Sequence, residues 1–288
     1  NKAWLAVRGY LNNARTVLSM NARNLHYIYP NNRREDYLLA DNKLRTKEKL
    51  VPLGVRTPKT LHVFDGFFQL RNLERILEMQ RDFVIKPASG SGGGGIVVIV
   101  GRNEQGWLDA GGGTHTVHSL RRHIGDILFG VYSFGLADTA VVEERLVQHP
   151  LLTELGGVGL ADIRVILLRD EPLMGMLRLP TVQSRGRANL HQGAIGLGID
   201  LTNGRTTRAL FLDRLISHHP DTGAALGDFQ IPFWNDIMAM ARQAARALPL
   251  KYIGADVAVT AHGPTLLEVN VRPGLQIQNA NGRGLRGV

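Results

Sequence analysis

A glycine-rich loop between two apolar segments is the feature that most restricts what this chain can fold into. Residues 84–99 read VIKPASGSGGGGIVVI, and residues 89–95, here called the glycine loop, comprise five glycines and two serines. The β-branched residues on both sides predict a strand, a loop and a second strand. In P-loop and Rossmann proteins the glycine loop opens a helix, and the P-loop lysine follows the glycines. Because Lys86 precedes the glycines of a hairpin, the sequence argues against both patterns.

Two interpretations of the glycine loop are open when it is taken alone. Successive backbone N–H groups in a flexible hairpin can bind phosphate oxygens, and a nearby ammonium such as that of Lys86 neutralises them. A solvent-exposed linker has the same composition. The apolar strands that adjoin the loop favour phosphate binding, since a linker does not need them.

The composition limits the class of protein and its partners. A chain of 288 residues that is 44% hydrophobic can bury a large core in one or two domains. The absence of cysteine excludes thiol catalysis and fits a reducing compartment, so we expect a cytoplasmic protein. No apolar run approaches the roughly 18 residues of a membrane span. The net charge of +9 favours anionic partners, but the scattered basic residues and few aromatics argue against a nucleic-acid reader.

Strand and helix patterns alternate along the chain. Apolar spacing predicts helices within 3–24, 70–81, 118–130 and 234–248, and a further helix over 42–50 that Asp41 caps and Gly54 ends. Strand patterns cover 139–147, a hairpin over 161–180, and two strands over 252–260 and 265–274. This mixture predicts an α+β fold.

Three oxygen-bearing side chains lie in the last two strand segments. Glu268 and Asn270 are two residues apart and so share one face of a strand, and Asp256 lies in the preceding strand. Burial of such groups among Val, Ile and Leu is costly without a cation or partner. Hard oxygen ligands completed by phosphates suit Mg²⁺. The alternative is that they face solvent on half-buried strands, where polar alternation is ordinary.

Basic residues of the C-terminal half form another candidate set. Each is typical of a surface arginine when taken singly, but together with glycine-rich loops they could clamp carboxylate or phosphoryl oxygens; they are Arg164, Arg178, Arg185, Arg187 and Arg272. His191 is interpreted as structural or substrate-facing rather than as a proton shuttle.

The order of these segments resembles that of the ATP-grasp ligases, most closely the RimK-type alpha-L-glutamate ligase-like branch. The resemblance covers about residues 41–280 and rests on DNKLRTKEKL, VIKPASGSGGGGIVV, VVEERL, DIRVILL, NLHQG, GADVAV and LLEVNVRPG. It implies an α+β ATP-grasp fold in which two α+β subdomains grip ATP between them. The implied division is a helical segment over 1–40 in place of a full N-terminal domain, a subdomain with the glycine loop over 41–146, and a subdomain with the metal site over 147–288.

The resemblance implies a role for each motif. Lys43 and Lys86 match the lysines that hold the α- and β-phosphates of ATP. The lid over the phosphates matches Ser89, Gly90, Ser91, Gly92, Gly93 and Gly94, and the adenine hinge matches Glu143, Glu144, Arg145 and Leu146. The ligands of two Mg²⁺ ions, with Mn²⁺ as the alternative metal, match Asp256, Glu268 and Asn270. The acyl phosphate or acceptor lies near Arg164 and Arg178, with Arg272 as an extra cation, and the substrate loop matches Arg187, Asn189 and His191.

The implied activity is ATP-dependent amide formation. A substrate carboxylate attacks the γ-phosphate of ATP to give an acyl phosphate and ADP, and an amine then displaces phosphate, as in the addition of glutamate or a similar amino acid to a peptide or protein. We expect a small-molecule or peptide substrate with carboxylate and amine groups, and a homo-oligomer is an open alternative to a monomer. An ATP-grasp kinase acting on a small molecule and a non-catalytic nucleotide-binding module remain the alternatives.

Overall fold

Two antiparallel sheets organise the chain, which the computed structural model describes over residues 15–90, 92–157 and 159–286. Helices flank both sheets, and their bounds are α1 (Met20–Arg23, continuing as a π-helix over Asn24–Ile28 and an α-helix over Tyr29–Asn31), α2 (Leu38–Asp41), α3 (Lys43–Leu50), α4 (Leu73–Glu78), α5 (Val117–Leu128), α6 (Pro150–Gly156), α7 (Trp234–Ala247) and α8 (Ile277–Asn281). The predicted α+β class is confirmed. Within the described residues, no helix combines the length and apolar character that crossing a membrane requires.

The smaller sheet carries the glycine loop. Its six strands lie in the order β1–β6–β2–β3–β4–β5, with bounds β1 (Thr60–Phe64), β2 (Phe83–Pro87), β3 (Val97–Asn103), β4 (Gly106–Asp109), β5 (Thr114–His115) and β6 (Ala140–Glu143). β2 and β3 pair through Ile85 and Val97, which confirms the predicted hairpin around the loop. Phe64, Phe83 and Trp107 form a core with residues of α5 on the sheet. This core gives the two ends of the loop a rigid base.

The larger sheet carries the three oxygen-bearing residues. Its seven strands lie in the order β11–β10–β9–β8–β7–β12–β13, with bounds β7 (Asp162–Leu168), β8 (Glu171–Leu179), β9 (Ile195–Asp200), β10 (Arg205–Phe211), β11 (Arg214–Ile216), β12 (Tyr252–Thr260) and β13 (Gly263–Asn270). Ile237 and Ala241 of α7 pack into its core. β12 is buried along its whole length because it lies between β7 and β13.

The N-terminal segment packs on the larger sheet. Leu18, Ile28, Leu50 and Val55 all belong to the core of that sheet. The three-part division predicted from the sequence stays a proposal, and this packing leads us to propose that the smaller subdomain starts after Val55. Part of the helix predicted over 3–24 lies outside the described residues.

Several element boundaries differ from the prediction. Asn42, rather than Asp41, caps α3, because its side chain accepts hydrogen bonds from Leu44 N at 3.1 Å and Arg45 N at 3.2 Å. The helix predicted over 70–81 is a 3₁₀ turn over Phe67–Asn72 followed by α4. The strand predicted over 139–147 ends at Glu143, since Arg145 turns toward Asp82 instead of continuing the ladder.

Candidate active site

Lys43 links the glycine loop of the smaller sheet to β13 of the larger sheet. It is the first residue of α3, and its Nζ donates to Gly90 O at 2.8 Å and lies 3.6 Å from Glu268 Oε2. Its backbone N donates to Ala88 O at 2.9 Å. One lysine therefore contacts the glycine loop and β13 together.

Both ends of the glycine loop are anchored in the smaller sheet. Asp138 accepts hydrogen bonds from Ser89 N at 3.1 and 3.0 Å, one to each carboxylate oxygen, and from the Ser133 hydroxyl. At the other end His123 Nε2 lies 2.9 Å from Gly95 O. A carbonyl only accepts, so this contact requires a proton on Nε2. These anchors hold the loop ends on a fixed base.

The tip of the glycine loop reaches the predicted substrate loop. Asn189 Nδ2 donates to Gly92 O at 3.0 Å, and Gln192 Nε2 lies 3.4 Å from the same oxygen. Gly92 and Gly93 have φ values of 65° and 79°, a left-handed conformation that glycine adopts without strain. The loop thus contacts the segment that joins β8 to β9 of the larger sheet. The prediction for Ser91 lies outside the described residues.

The second predicted phosphate lysine lies deeper in the smaller sheet. Lys86 Nζ is 2.5 Å from Glu143 Oε2, and both side chains are buried. The hinge residues that follow Glu143 use their side chains elsewhere. Glu144 accepts a hydrogen bond from Lys59 N at 2.8 Å, and Arg145 donates one to Asp82 at 3.0 Å. Leu146 is half-buried. The adenine-binding role of this hinge stays a prediction.

The three predicted metal ligands meet where the C-terminal end of β13 pairs with the middle of β12. Asn270 Nδ2 donates to Asp256 Oδ2 at 3.1 Å and to Glu268 Oε1 at 3.3 Å. Asp256 and Glu268 lie opposite each other in the strand register. The sheet therefore gathers two carboxylates and one amide into one cluster beside Lys43.

Two arginines, Arg164 on the adjacent β7 and Arg178 on β8 beyond it, bind Asp256. Arg164 donates to Asp256 from Nε at 2.7 Å and from Nη2 at 2.5 Å, and Arg178 donates from Nη2 at 2.8 Å. Arg178 also forms a bidentate pair with Asp162 at 2.5 and 2.6 Å. We call Asp162, Arg164, Arg178 and Asp256 the arginine–aspartate cluster.

Burial and charge act in opposite directions in the arginine–aspartate cluster. Burial by itself raises the pKa of Asp256, but the adjoining Arg164 and Arg178 outweigh it and hold that pKa below its ordinary value. Burial raises the pKa of Asp162 to about 6, with Arg178 opposing the shift. Asp256 is thus held as a carboxylate, the form that can contact a cation.

The remaining predicted residues lie away from this cluster. Arg272 donates to Asp41 Oδ2 at 2.8 Å and its guanidinium lies over the Tyr37 ring at 5.2 Å. Arg187 and His191 are exposed, and the backbone N of His191 donates to Asn189 Oδ1 at 3.0 Å. Their roles toward a substrate stay predictions.

A comparison with protein families agrees with this geometry. The family model described as sugar-transfer associated ATP-grasp matches residues 22–288. The chain belongs to this ATP-grasp family. The ATP-grasp resemblance stated from the sequence is therefore confirmed.

Individual relatives of this ATP-grasp chain agree with the glutamate ligase-like branch. A probable alpha-L-glutamate ligase of Chromohalobacter salexigens is 27% identical over 128 residues, 44% of this chain and 32% of that protein. One of Trichodesmium erythraeum is 29% identical over 143 residues, 49% of this chain and 36% of that protein. The matches span about a third of the length of these curated relatives.

Solved structures share the ATP-grasp fold. Phosphoribosylamine–glycine ligase of Thermotoga maritima superposes with a TM-score of 0.51 at 15% identity, covering 92% of this chain and 58% of that one. Biotin carboxylase of Campylobacter jejuni gives 0.51 at 13% identity, covering 84% and 42%. At such identities the likeness extends to the fold alone.

The oxygen-bearing side chains at this site are of the type that a divalent cation binds. Asp256, Glu268 and Asn270 carry the carboxylate and amide oxygens that Mg²⁺ prefers. Their role as metal ligands stays a prediction, because Arg164 donates to both Asp256 oxygens in this structure. The described residues contain no group of three His, Cys, Asp or Glu side chains arranged for a metal. Phosphate or water oxygens would therefore have to complete the coordination shell, as Mg²⁺ commonly requires.

Sequence reasoning missed Asp162, Lys47 and Asp138. Asp162 lies two residues before Arg164 on β7, and the register places it opposite Arg178 and places Arg164 opposite Asp256. An acid and a base two residues apart on one strand, Asp162 and Arg164, were the sequence signal that could have identified Asp162. Lys47 follows Lys43 by one helical turn, which also places it on the same face of α3.

Proposed function

We propose that this chain is the nucleotide-binding and catalytic part of an ATP-dependent carboxylate–amine ligase that works through an acyl phosphate. The observation that carries the proposal is that Lys43 contacts both Gly90 and Glu268, while Asn270 bridges Glu268 to Asp256. Segments far apart in the chain thereby bring the glycine loop, an ammonium and three oxygen-bearing side chains together, which supports the proposal.

The chain's own residues divide the chemistry among them. Lys43 and Lys86 neutralise phosphate oxygens, and the backbone N–H groups of the glycine loop donate to them. Asp256, Glu268 and Asn270 would hold Mg²⁺, which supplies positive charge to the phosphoryl group when bound. Arg164 and Arg178 position Asp256 and add positive charge where an acyl phosphate would form.

Closure of the glycine loop protects the intermediate. An acyl phosphate hydrolyses if water reaches it before the amine does, so exclusion of water decides whether ATP is used productively. The hydrogen bond from Asn189 to Gly92 supports such a closed position of the loop. No nucleophilic side chain is needed for this reaction, which agrees with a sequence that has no cysteine.

The proposed substrate class rests on two exposed arginines and on the relatives. Arg187 and the half-exposed Arg272 would provide cations for an anionic group. Several relatives are named as probable alpha-L-glutamate ligases. We propose that one substrate is glutamate or a similar amino acid and that the other is a small molecule or peptide.

A substrate panel tests this function. Purified protein is incubated with ATP, Mg²⁺ and pairs of amino acids or peptides, ADP release is measured, and products are weighed by mass spectrometry. We expect ADP release that depends on both substrates, with an amide product, and loss of at least about 100-fold in Glu268→Gln. A phosphorylated product without an amide would replace the ligase by a kinase. Nucleotide binding without ADP release on any pair would point to a non-catalytic module.

A further inference from the structure

A third lysine lies beside the predicted phosphate lysine Lys86. Lys47, on α3, is buried, and its ammonium donates to Pro58 O at 2.6 Å, to Thr60 Oγ1 at 3.0 Å and to Glu143 Oε1. An ammonium has three N–H donors, so these three oxygens use all of them. Pro58 lies just before β1 and Thr60 is its first residue, so these two acceptors fix the lysine ammonium in place.

Glu143 is shared between Lys47 and Lys86. One carboxylate oxygen contacts Lys47, and the other lies 2.5 Å from Lys86 Nζ. Only 3% of the Glu143 side chain is exposed, compared with 11% for Lys47 and 9% for Lys86. Burial lowers the pKa of Lys47, and the Glu143 carboxylate opposes that shift. A buried carboxylate thus has two buried counter-ions.

The two lysines differ in their freedom to leave Glu143. Lys47 is tied to Pro58 O and Thr60 Oγ1, whereas Lys86 lies on β2 three residues before the glycine loop. A lysine that binds phosphate has to share or give up its carboxylate partner. The departure of a sole counter-ion from a buried carboxylate is costly, because it leaves a charge unpaired in the protein interior.

We propose that Lys47 is a positioning residue that serves as the permanent counter-ion of Glu143 and so releases Lys86 to bind nucleotide phosphates. The inference rests on the proposed function, because it takes Lys86 as a phosphate contact. Lys47 does not itself touch the nucleotide. Its charge determines how readily Lys86 turns from Glu143 to the phosphates.

Comparing the binding of ADP with that of adenosine distinguishes this positioning role from a general structural role. Both ligands are titrated by calorimetry, with Mg²⁺ present, into the wild-type chain, Lys47→Met and Lys49→Met. Lys49 is an exposed lysine on the same helix and serves as the matched control. In Lys47→Met we expect the Kd of ADP to rise at least about tenfold and that of adenosine to change less than about twofold, because only phosphate binding draws Lys86 away. Equal losses for both ligands would overturn the inference.

Removal of the Glu143 charge tests the counter-ion role directly. If Lys47 acts as a counter-ion, the double variant Lys47→Met/Glu143→Gln regains most of the lost ADP affinity, since no buried charge is then left unpaired. Lys86→Met should also weaken ADP binding, but Glu143→Gln should not restore it. Failure of Glu143→Gln to restore ADP binding in the Lys47→Met background would overturn the counter-ion role.

Two further results keep the test decisive. If Lys47→Met fails to fold by circular dichroism, Glu143→Gln alone is compared with the wild type. The ratio of its ADP affinity to its adenosine affinity should be at least as high as that of the wild type. A lower ratio would overturn the inference. Wild-type protein that binds neither ADP nor ATP overturns both the inference and the proposed function. Wild-type ADP affinity in Lys47→Met overturns the inference alone.

Discussion

Arg178 lies between two buried carboxylates and binds both. Its Nη2 is 2.6 Å from Asp162 Oδ2 and 2.8 Å from Asp256 Oδ2. Asp162 lies opposite it on β7, and Asp256 lies one strand further on. One guanidinium therefore connects a predicted metal ligand to a carboxylate that the motifs did not single out.

Loss of this guanidinium should destabilise the fold. Arg178→Met leaves Asp162 without its bidentate partner, and we expect the free energy of unfolding to fall by about 3–5 kcal/mol. Urea denaturation measures the change. Asp162→Asn in the same background should recover part of the loss, because it removes one unpaired charge. Arg33→Met, in an exposed pair with Glu35, is the control and should change little. A loss no larger than that of the control would contradict the structural importance of the cluster.

Asp138 should determine how well ATP use is coupled to product formation. In Asp138→Ala the N–H of Ser89 and the hydroxyl of Ser133 lose their acceptor. A loosened glycine loop admits water, so we expect ADP release per amide formed to rise severalfold. The ratio is measured with paired ADP and product assays, and Asp213→Asn, at an exposed turn, is the control. An unchanged ratio alongside a reduced rate would mean that Asp138 supports folding only.

Two glycines of the loop should differ in their tolerance of alanine. A Cβ at Gly95 would lie 2.6 Å from the Tyr132 ring, whereas a Cβ at Gly92 meets nothing closer than Asn189 Nδ2 at 3.9 Å. Both have positive φ, so backbone strain of about 1–2 kcal/mol is common to both variants. We therefore expect Gly95→Ala to lower the melting temperature further than Gly92→Ala. Equal melting temperatures would show that Tyr132 moves aside freely.

His123 should make stability depend on pH. Burial lowers its pKa from the ordinary value of 6.5, so the folded chain binds fewer protons at this site than the unfolded chain does. The free energy of unfolding should then fall as the pH drops below about 6.5, by at most about 1.4 kcal/mol per pH unit. Urea denaturation at pH 7.5 and 5.5 should show a smaller drop for His123→Gln than for the wild type. His118→Gln, at an exposed position of the same helix, should retain the wild-type drop.

The sequence was most informative where local pattern and function coincide. The strand–loop–strand order around Lys86 predicted the hairpin, since β-branched segments favour strands and glycines allow the chain to reverse between them. The i, i+2 spacing of Glu268 and Asn270 predicted that they share a face, and the structure brings them together with Asp256. Element ends were predicted less well. The cap of α3 was predicted at Asp41 but lies at Asn42, because both residue types cap helices well and the sequence alone does not choose between them.

By itself, the sequence determined the α+β class, the family and the hairpin, and it singled out three oxygen-bearing residues that come together, because these features depend on residue type and short spacing. Only the tertiary structure decided which charges pair. It placed Arg178 between Asp162 and Asp256, and Glu143 between Lys47 and Lys86. Such pairing follows from strand order and register, which bring together residues far apart in the chain. The energy of a charge depends on burial and on its nearest partner, and neither can be read from the spacing of residues along the sequence.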